Sequence, residues 1–203
     1  TLNAELCPII KSNIEAIDTD IVDRYFSAHS IEVNDSNRIM LMENASIIHL
    51  DRESGKHSVT LGGLLVFSRS NNVYIPHNMI RIVNRVKKEI DEIIVIQGDL
   101  LTILDRTEEI FNSILPKNYP TSAVHEAVKN AVLYRDYTMF YKEIEIIIDF
   151  HSISIISPGV LVKNKDIGAH NYLRRNMWIY EKLIALDNKK RFVKSGRGFS
   201  RMK

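Results

Sequence analysis

Glu126 and Asn130 are the pair whose types and spacing best suit chemistry in this chain. Four residues apart, they lie on one face of a helix, one turn from each other. A carboxylate so placed can orient a water, and an amide oxygen can ligate a hard cation such as magnesium. The same spacing also suits two solvated polar residues on an ordinary surface helix, because a motif of this size is only a hypothesis. Two glycine-bearing turns could face the same ligand: Ser157-Pro158-Gly159 and Ser195-Gly196-Arg197-Gly198. Glycine lets backbone approach phosphate closely, and free amides together with Arg197 would favour an anion.

The elements that must position these residues can be read from periodicity. Thr121 and Ser122, just after Pro120, are N-cap candidates. Ala123, Ala127, Val128, Ala131 and Val132 then recur at helical spacing and predict an amphipathic helix ending near Arg135-Asp136-Tyr137. Residues 143–148 alternate partly and 152–155 alternate cleanly, which predicts a hairpin turning at 149–151. Ser157-Pro158-Gly159 ends its second strand. A helix over 171–186 carries Arg174, Arg175 and Trp178. The two arginines could meet phosphates and Trp178 could stack on a base; helical spacing with Leu173 and Lys182 instead makes Trp178 a core residue. Arg135-Asp136-Tyr137 also fits a structural helix end with Arg135 paired to a carboxylate.

Upstream, Asp18 or Thr19 can cap a helix carrying Ile21, Val22, Tyr25 and Phe26. A second helix is expected over 35–49, with Ile39, Met42, Ile47 and Ile48 buried, followed by a turn or short wing at 51–57. Thr60 should cap a short buried helix over 61–67, whose Gly62 and Gly63 weaken the helix but permit close packing; a loop and strand is the alternative. Strands are expected at 79–86 and 93–96, and a helix at 100–115 with Leu101, Leu104, Ile110, Phe111 and Leu115 on one face. Pro116 and Pro120 mark a break, taken as the boundary between a unit at 1–118 and another at 119–203.

Composition narrows the class. Of 203 residues, 45% are hydrophobic and 26% charged, as in an ordinary globular protein with a sizeable core. No apolar run is long enough to span a bilayer and no secretory segment opens the chain, so no membrane partner is expected. A single cysteine, Cys7, leaves no internal disulfide framework and fits a cytoplasmic setting. The first residue is Thr, as in a fragment or a processed chain. Charge is uneven: residues 163–203 hold twelve Lys or Arg against three acids, a net of +9, while 1–162 hold 15 against 22, a net of −7. That asymmetry points either to a polyanion partner or to a basic face balanced by an acidic body.

The order helix, hairpin, turn, helix, glycine-rich turn resembles a known family. Glu126-x-x-x-Asn130-Ala131 continuing to Arg135-Asp136-Tyr137 is similar to the "ExxxNAxxHRDY" signature of the GHKL-like ATPase domain of Schlafen/AlbA-linked proteins, a group of transcriptional regulators often described as RecG-like helicase C-terminal regions. Ser157-Pro158-Gly159 resembles its "NPGG/SPGG" turn, Arg174-Arg175-Asn176 its "RRNP", and Ser195-Gly196-Arg197-Gly198 its terminal "GxGI". Thr60 to Phe67 resembles "LTxAGLLLFG" and Tyr74-Ile75-Pro76-His77 resembles "xFPxA", so the likeness runs from about Ile21 to Met202.

The resemblance implies an α+β fold: a GHKL-like domain of helices layered on a mixed sheet, preceded by a smaller α/β unit that could begin like a winged helix. It implies Glu126 as the residue orienting the attacking water and Asn130 as the magnesium ligand, with Gly159, Gly196 and Gly198 around bound ATP. It also implies a homodimer and DNA as a partner of the full-length protein, contacted through Arg174 and Arg175. The family's acidic adenine-binding box is replaced by Ser157-Pro158-Gly159, and its usual His is Tyr134. A site lacking that carboxylate should discriminate poorly for adenine. The expected function is therefore a DNA-associated transcriptional regulator with a degenerate nucleotide-binding domain; the rivals are an active magnesium-dependent ATPase and a purely structural dimerisation module.

Overall fold

The computed structural model describes residues 4–86, 90–160 and 175–192. Its helices are α1 (Thr19–Ala28), α2 (Arg38–Asn44), α3 (Leu61–Phe67), α4 (Leu100–Ile114), α5 (Thr121–Tyr134) and α6 (Met177–Leu186). Its strands are β1 (Ile48–Leu50), β2 (His57–Val59), β3 (Met79–Asn84), β4 (Glu92–Gln97), β5 (Ile144–Ile148) and β6 (Ile153–Ile156). The class is α+β, with helices and a mixed sheet, as the sequence led us to expect.

The N-terminal half is organised around α3, all seven of whose residues are buried. Thr60 caps it: its Oγ1 accepts from the Gly63 amide at 3.0 Å. The paired glycines belong to a helix and not to a loop and strand, and their lack of side chains is what lets other elements close on it. A Cβ at Gly63 would lie 2.2 Å from the Ile47 carbonyl oxygen, and one at Gly62 would lie 2.6 Å from the Trp178 ring. Trp178 of α6 is accordingly a packing residue, its indole N–H donating to Ala45 O at 3.0 Å.

Two helices end where no glycine announces it. α2 was expected to run to 49 but stops at Asn44. Ser46 adopts φ +57°, and Ile47 N–H donates to Met42 O while Ser46 N–H donates to Glu43 O. This is the Schellman pattern, built with serine in the left-handed conformation that glycine usually fills. Ile47 and Ile48 are buried as expected, but Ile48 opens β1 and Ile39 is exposed. α1 ends the same way at Ser30, with Ile31 N–H on Phe26 O. The predicted turn at 51–57 joins β1 to β2 as an antiparallel hairpin.

The sheet has the order β4-β3-β5-β6, with β3 and β5 parallel and the other neighbours antiparallel. One face carries Ile80, Ile82, Ile96, Ile144, Ile146 and Ile148, all buried in the core with Ile103, Leu104, Phe111, Val124 and Val128 of α4 and α5. The buried face of α4 is Leu100, Ile103, Leu104, Thr107 and Phe111. Leu104 and Phe111 lie on it as expected, whereas Leu101, Ile110 and Leu115, expected on the same face, are only partly buried. Asp99 caps this helix, accepting from the Leu101 and Thr102 amides at 3.1 and 3.0 Å. β3 and β5 lie on opposite sides of the Pro116–Pro120 break in sequence yet are adjacent strands, so the sheet draws on both 1–118 and 119–203. Among the described residues no helix is long and apolar enough to cross a membrane.

The approach of α3 to the β1 end gives a direct test. Gly63→Ala forces a methyl into the Ile47 carbonyl and should cost at least about 3 kcal/mol, lowering the melting temperature by about 6–12 °C. Gly55→Ala, whose Cβ meets nothing within 4 Å, should cost only the strain of its positive φ, about 1–2 kcal/mol. Thermal unfolding followed by circular dichroism separates the two.

Candidate functional site

The signature residues gather at the C-terminal end of α5. A helix leaves its last carbonyls without intrahelical partners, and here side chains from other segments supply them. Ser157 Oγ donates to Ala131 O at 2.8 Å, Tyr137 Oη to Val132 O at 3.0 Å, and Asn176 Nδ2 to Leu133 O and Arg135 O, both at 2.9 Å. Asn176 can do this because it stands at φ +58°, a left-handed conformation that asparagine tolerates better than most residues. The Arg135-Asp136-Tyr137 run, the Ser157-Pro158-Gly159 turn and the Arg175-Asn176 pair, far apart in sequence, are thus one junction.

Arg135 is almost fully buried. Among the described residues it pairs with no carboxylate, contrary to expectation: its guanidinium donates to Lys142 O at 2.7 Å and lies over the Tyr137 ring at 5.1 Å from the centroid. Burial holds its pKa below the usual arginine range, against the pull of Tyr137, Glu143 and Asp136. Burial also drives the Tyr137 phenol well above its ordinary value, against the pull of Arg135.

Asp136 is the carboxylate of the junction. It accepts from Thr138 N–H at 3.1 Å and Thr138 Oγ1 at 2.6 Å, and forms an ion pair with Arg175. Its backbone N–H donates to Pro158 O at 2.8 Å. Gly159, at φ +115°, packs so closely that a Cβ would meet Asp136 Cβ at 2.9 Å. Burial pushes the Asp136 carboxyl up, but the Thr138 hydrogen bonds and Arg175 outweigh it and hold the pKa below the ordinary range. Beside this contact an open groove of about 400 Å³ is lined by Asp136, Met139, Lys142, Glu143 and 156–160.

Glu126 and Asn130 lie on the same helix but neither lines that groove. The Glu126 carboxylate accepts from Lys129 Nζ at 2.6 Å, with Lys129 only 6% and Glu126 21% exposed at the side chain. Lys129 also donates to Arg191 O at 3.1 Å, tying α5 to the segment after α6. The Asn130 Nδ2 is enclosed with no hydrogen-bond partner. Thr121 and Ser122 do not cap α5; Pro120 holds the N-cap position, with no side-chain cap. Among the described residues no group of three or more His, Cys, Asp or Glu could hold a metal.

Arg175 is engaged by Asp136 and by Val160 O at 3.1 Å. Arg174, Gly196 and Gly198 lie outside the described residues. Within the basic C-terminal segment, Lys189 pairs with Asp105 and Glu108, and Arg191 with Asp105, Glu108 and Asp187. Lys182 lies over the Trp178 and Tyr25 rings at 4.8 and 5.3 Å. Much of the described basic charge is therefore balanced inside the chain. The sequence assigned no role to Lys129 and quoted Asn176 only within the Arg174-Arg175-Asn176 motif, although a lysine between Val128 and Val132 was a signal of a buried partner.

Two measurements probe this arrangement. Glu126→Gln leaves the buried Lys129 ammonium uncompensated and should lower stability by about 3 kcal/mol, near the low end for breaking a buried pair; adding Lys129→Met should recover most of it, as read by urea unfolding. Because the Asp136 pKa is depressed in the folded chain, its contribution is present above the unfolded value of about 3.9 and is lost as pH falls through the lower folded value. Stability measured from about pH 6 down to about pH 3 should fall less steeply in Asp136→Asn than in the unmodified chain.

No family model matches the chain, and no curated protein matches it. Among solved structures, the crystal structure of the DIP2311 protein from Corynebacterium diphtheriae is similar, with a TM-score of 0.57 and 19% sequence identity. The match covers 100% of this chain and 35% of that one, so this chain spans about a third of that protein's length. At this identity the likeness is one of fold.

Proposed function

We propose that this chain is the GHKL-like part of a DNA-associated transcriptional regulator of the Schlafen/AlbA-linked class, in which the former nucleotide site has become scaffold. The observation that carries the loss of catalysis is the pairing of Glu126 with Lys129. A base that orients water needs a free carboxylate within reach of substrate, and this one neutralises a buried ammonium. The Asn130 amide nitrogen is enclosed without a hydrogen-bond partner, and neither Asn130 nor Glu126 lines the groove beside Asp136. As arranged, these residues do not suit ATP and magnesium, and no catalytic step is assigned to them. Tyr137, Ser157 and Asn176 of the motifs instead close the end of α5, which supplies a reason for their residue types that needs no nucleotide.

The DNA part of the reading draws on charge. With Arg175, Lys182, Lys189 and Arg191 engaged within the chain, contact with phosphates falls to Arg174 and the remaining basic residues of 163–203. The active ATPase is the competing reading, and the resemblance of Glu126 and Asn130 to its signature is what favours it.

Calorimetric titration with magnesium and ATP at millimolar concentration should give no heat of binding and no turnover. Binding abolished by Asn130→Ala, with hydrolysis abolished by Glu126→Gln in a folded variant, would establish the ATPase instead. Binding to duplex DNA should weaken steeply as salt rises, and Arg174→Glu should reduce both affinity and salt slope; an affinity indifferent to salt would sink the DNA reading.

A further inference from the structure

The outer face of the four-stranded sheet mixes aliphatic side chains with polar ones. Opposite the face that packs on α4 and α5, β4 presents Ile93, Val95 and Gln97, β3 presents Met79, Arg81 and the buried Val83, β5 presents Glu145 and the half-buried Ile147, and β6 presents Ser154 and Ile156. Ile93, Val95 and Ile156 are 55%, 45% and 54% exposed. A sheet face bound for water normally alternates apolar and polar residues along each strand; β4 departs from this, and exposed aliphatic side chains on both outer strands, flanking a central ion pair, suit an interaction surface. The register aligns them: Val83 is opposite Ile93 and Ile147, and Arg81 is opposite Val95 and Glu145.

At the centre of this face sits one ion pair, Arg81 of β3 with Glu145 of β5. Both side chains are about a third exposed, so each is open to a further partner. The two residues belong to the two central strands, and the two outer strands both carry exposed aliphatics. The face is therefore self-complementary about a two-fold axis that runs along the strands between β3 and β5. That rotation sets Arg81 over the partner's Glu145 and Glu145 over the partner's Arg81. It also lays Ile93 and Val95 of β4 against β6 of the second copy, where Ile156 projects. An isologous contact of this type buries the same patch on both chains, and sheets stacked face to face lie about 10 Å apart, a gap these side chains fill.

We propose that this sheet face is the interface of a homodimer, formed by a second copy of the chain and locked in register by the Arg81–Glu145 pairs. The interface stands apart from the nucleotide and DNA reading and does not depend on it. A four-strand face is about 19 Å wide, which puts the contact at the small end of specific interfaces and makes the dimer a weak, concentration-dependent one.

Sedimentation velocity of the full chain, from low micromolar to submillimolar concentration, should show a monomer–dimer equilibrium. Ile93→Lys combined with Val95→Lys, at positions exposed enough to keep the fold, should weaken it by about tenfold or more. The double exchange Arg81→Glu with Glu145→Arg keeps the pair within each chain and should still dimerise with itself. Mixed with the unmodified chain, it sets like charges opposite each other and should not form a mixed dimer, as read by energy transfer between donor and acceptor dyes on the exposed Cys7. A chain that stays monomeric throughout, a dimer undiminished by the two lysines, or free mixing of the exchanged and unmodified chains would each overturn the proposal.

Discussion

The carbonyl groups at the C-terminal end of α5 set the condition that the later half of the chain must meet. Buried polar backbone without a partner is costly, and α5 ends inside the protein, where water cannot cap it. Ser157, Tyr137 and Asn176 each close one of these carbonyls, from a turn, from the chain just past the helix and from the entrance to α6. Once these are placed, the rest of the junction follows. Gly159 must lack a side chain because the turn lies against Asp136, and Arg175 is drawn to the Asp136 carboxylate one residue before Asn176 takes up its cap. Helix closure thus accounts for Tyr137, Ser157, Gly159 and Asn176 among the motif residues, and not for Glu126 and Asn130.

A second constraint is electrostatic. Lys129 of α5 is buried, and its ammonium is stabilised by Glu126 one turn away and by the Arg191 carbonyl, which reaches it from the segment after α6. Arg191 in turn joins Asp105, Glu108 and Asp187, which links α4 to the turn after α6. A residue that periodicity marks as a catalytic candidate is here the counter-ion of a neighbour. Spacing cannot separate those roles, since i, i+3 and i, i+4 relations serve a salt bridge and a water-orienting pair equally well.

The helix–strand order was legible from sequence with few errors, because the core faces of α1, α3, β3, β5 and β6 carry their periods plainly. The errors have local causes. α2 ran too long because Ser46 takes the left-handed position without being glycine. The face of α4 was displaced because Thr107 is buried, its hydroxyl satisfied by Ile103 O, and a pattern built on aliphatic residues alone cannot see that. Charge asymmetry left a polyanion partner and a basic face balanced by the acidic body both open, and Lys189 and Arg191 follow the second, finding acids on α4 more than eighty residues away.

By itself the sequence determined the α+β class, the capped and glycine-bearing helix α3, and the grouping of short motifs that marks α5 and its surroundings. Those follow from local physics: propensity, periodicity and the steric freedom of glycine act over a few residues. Only the tertiary structure decided what the grouped motifs do. Whether a carboxylate meets a water or a lysine, and whether an arginine meets a phosphate or an aspartate 39 residues away, depends on which distant groups the fold brings within hydrogen-bond reach. The parallel pairing of β3 with β5, made across the Pro116–Pro120 break, is what sets that distance.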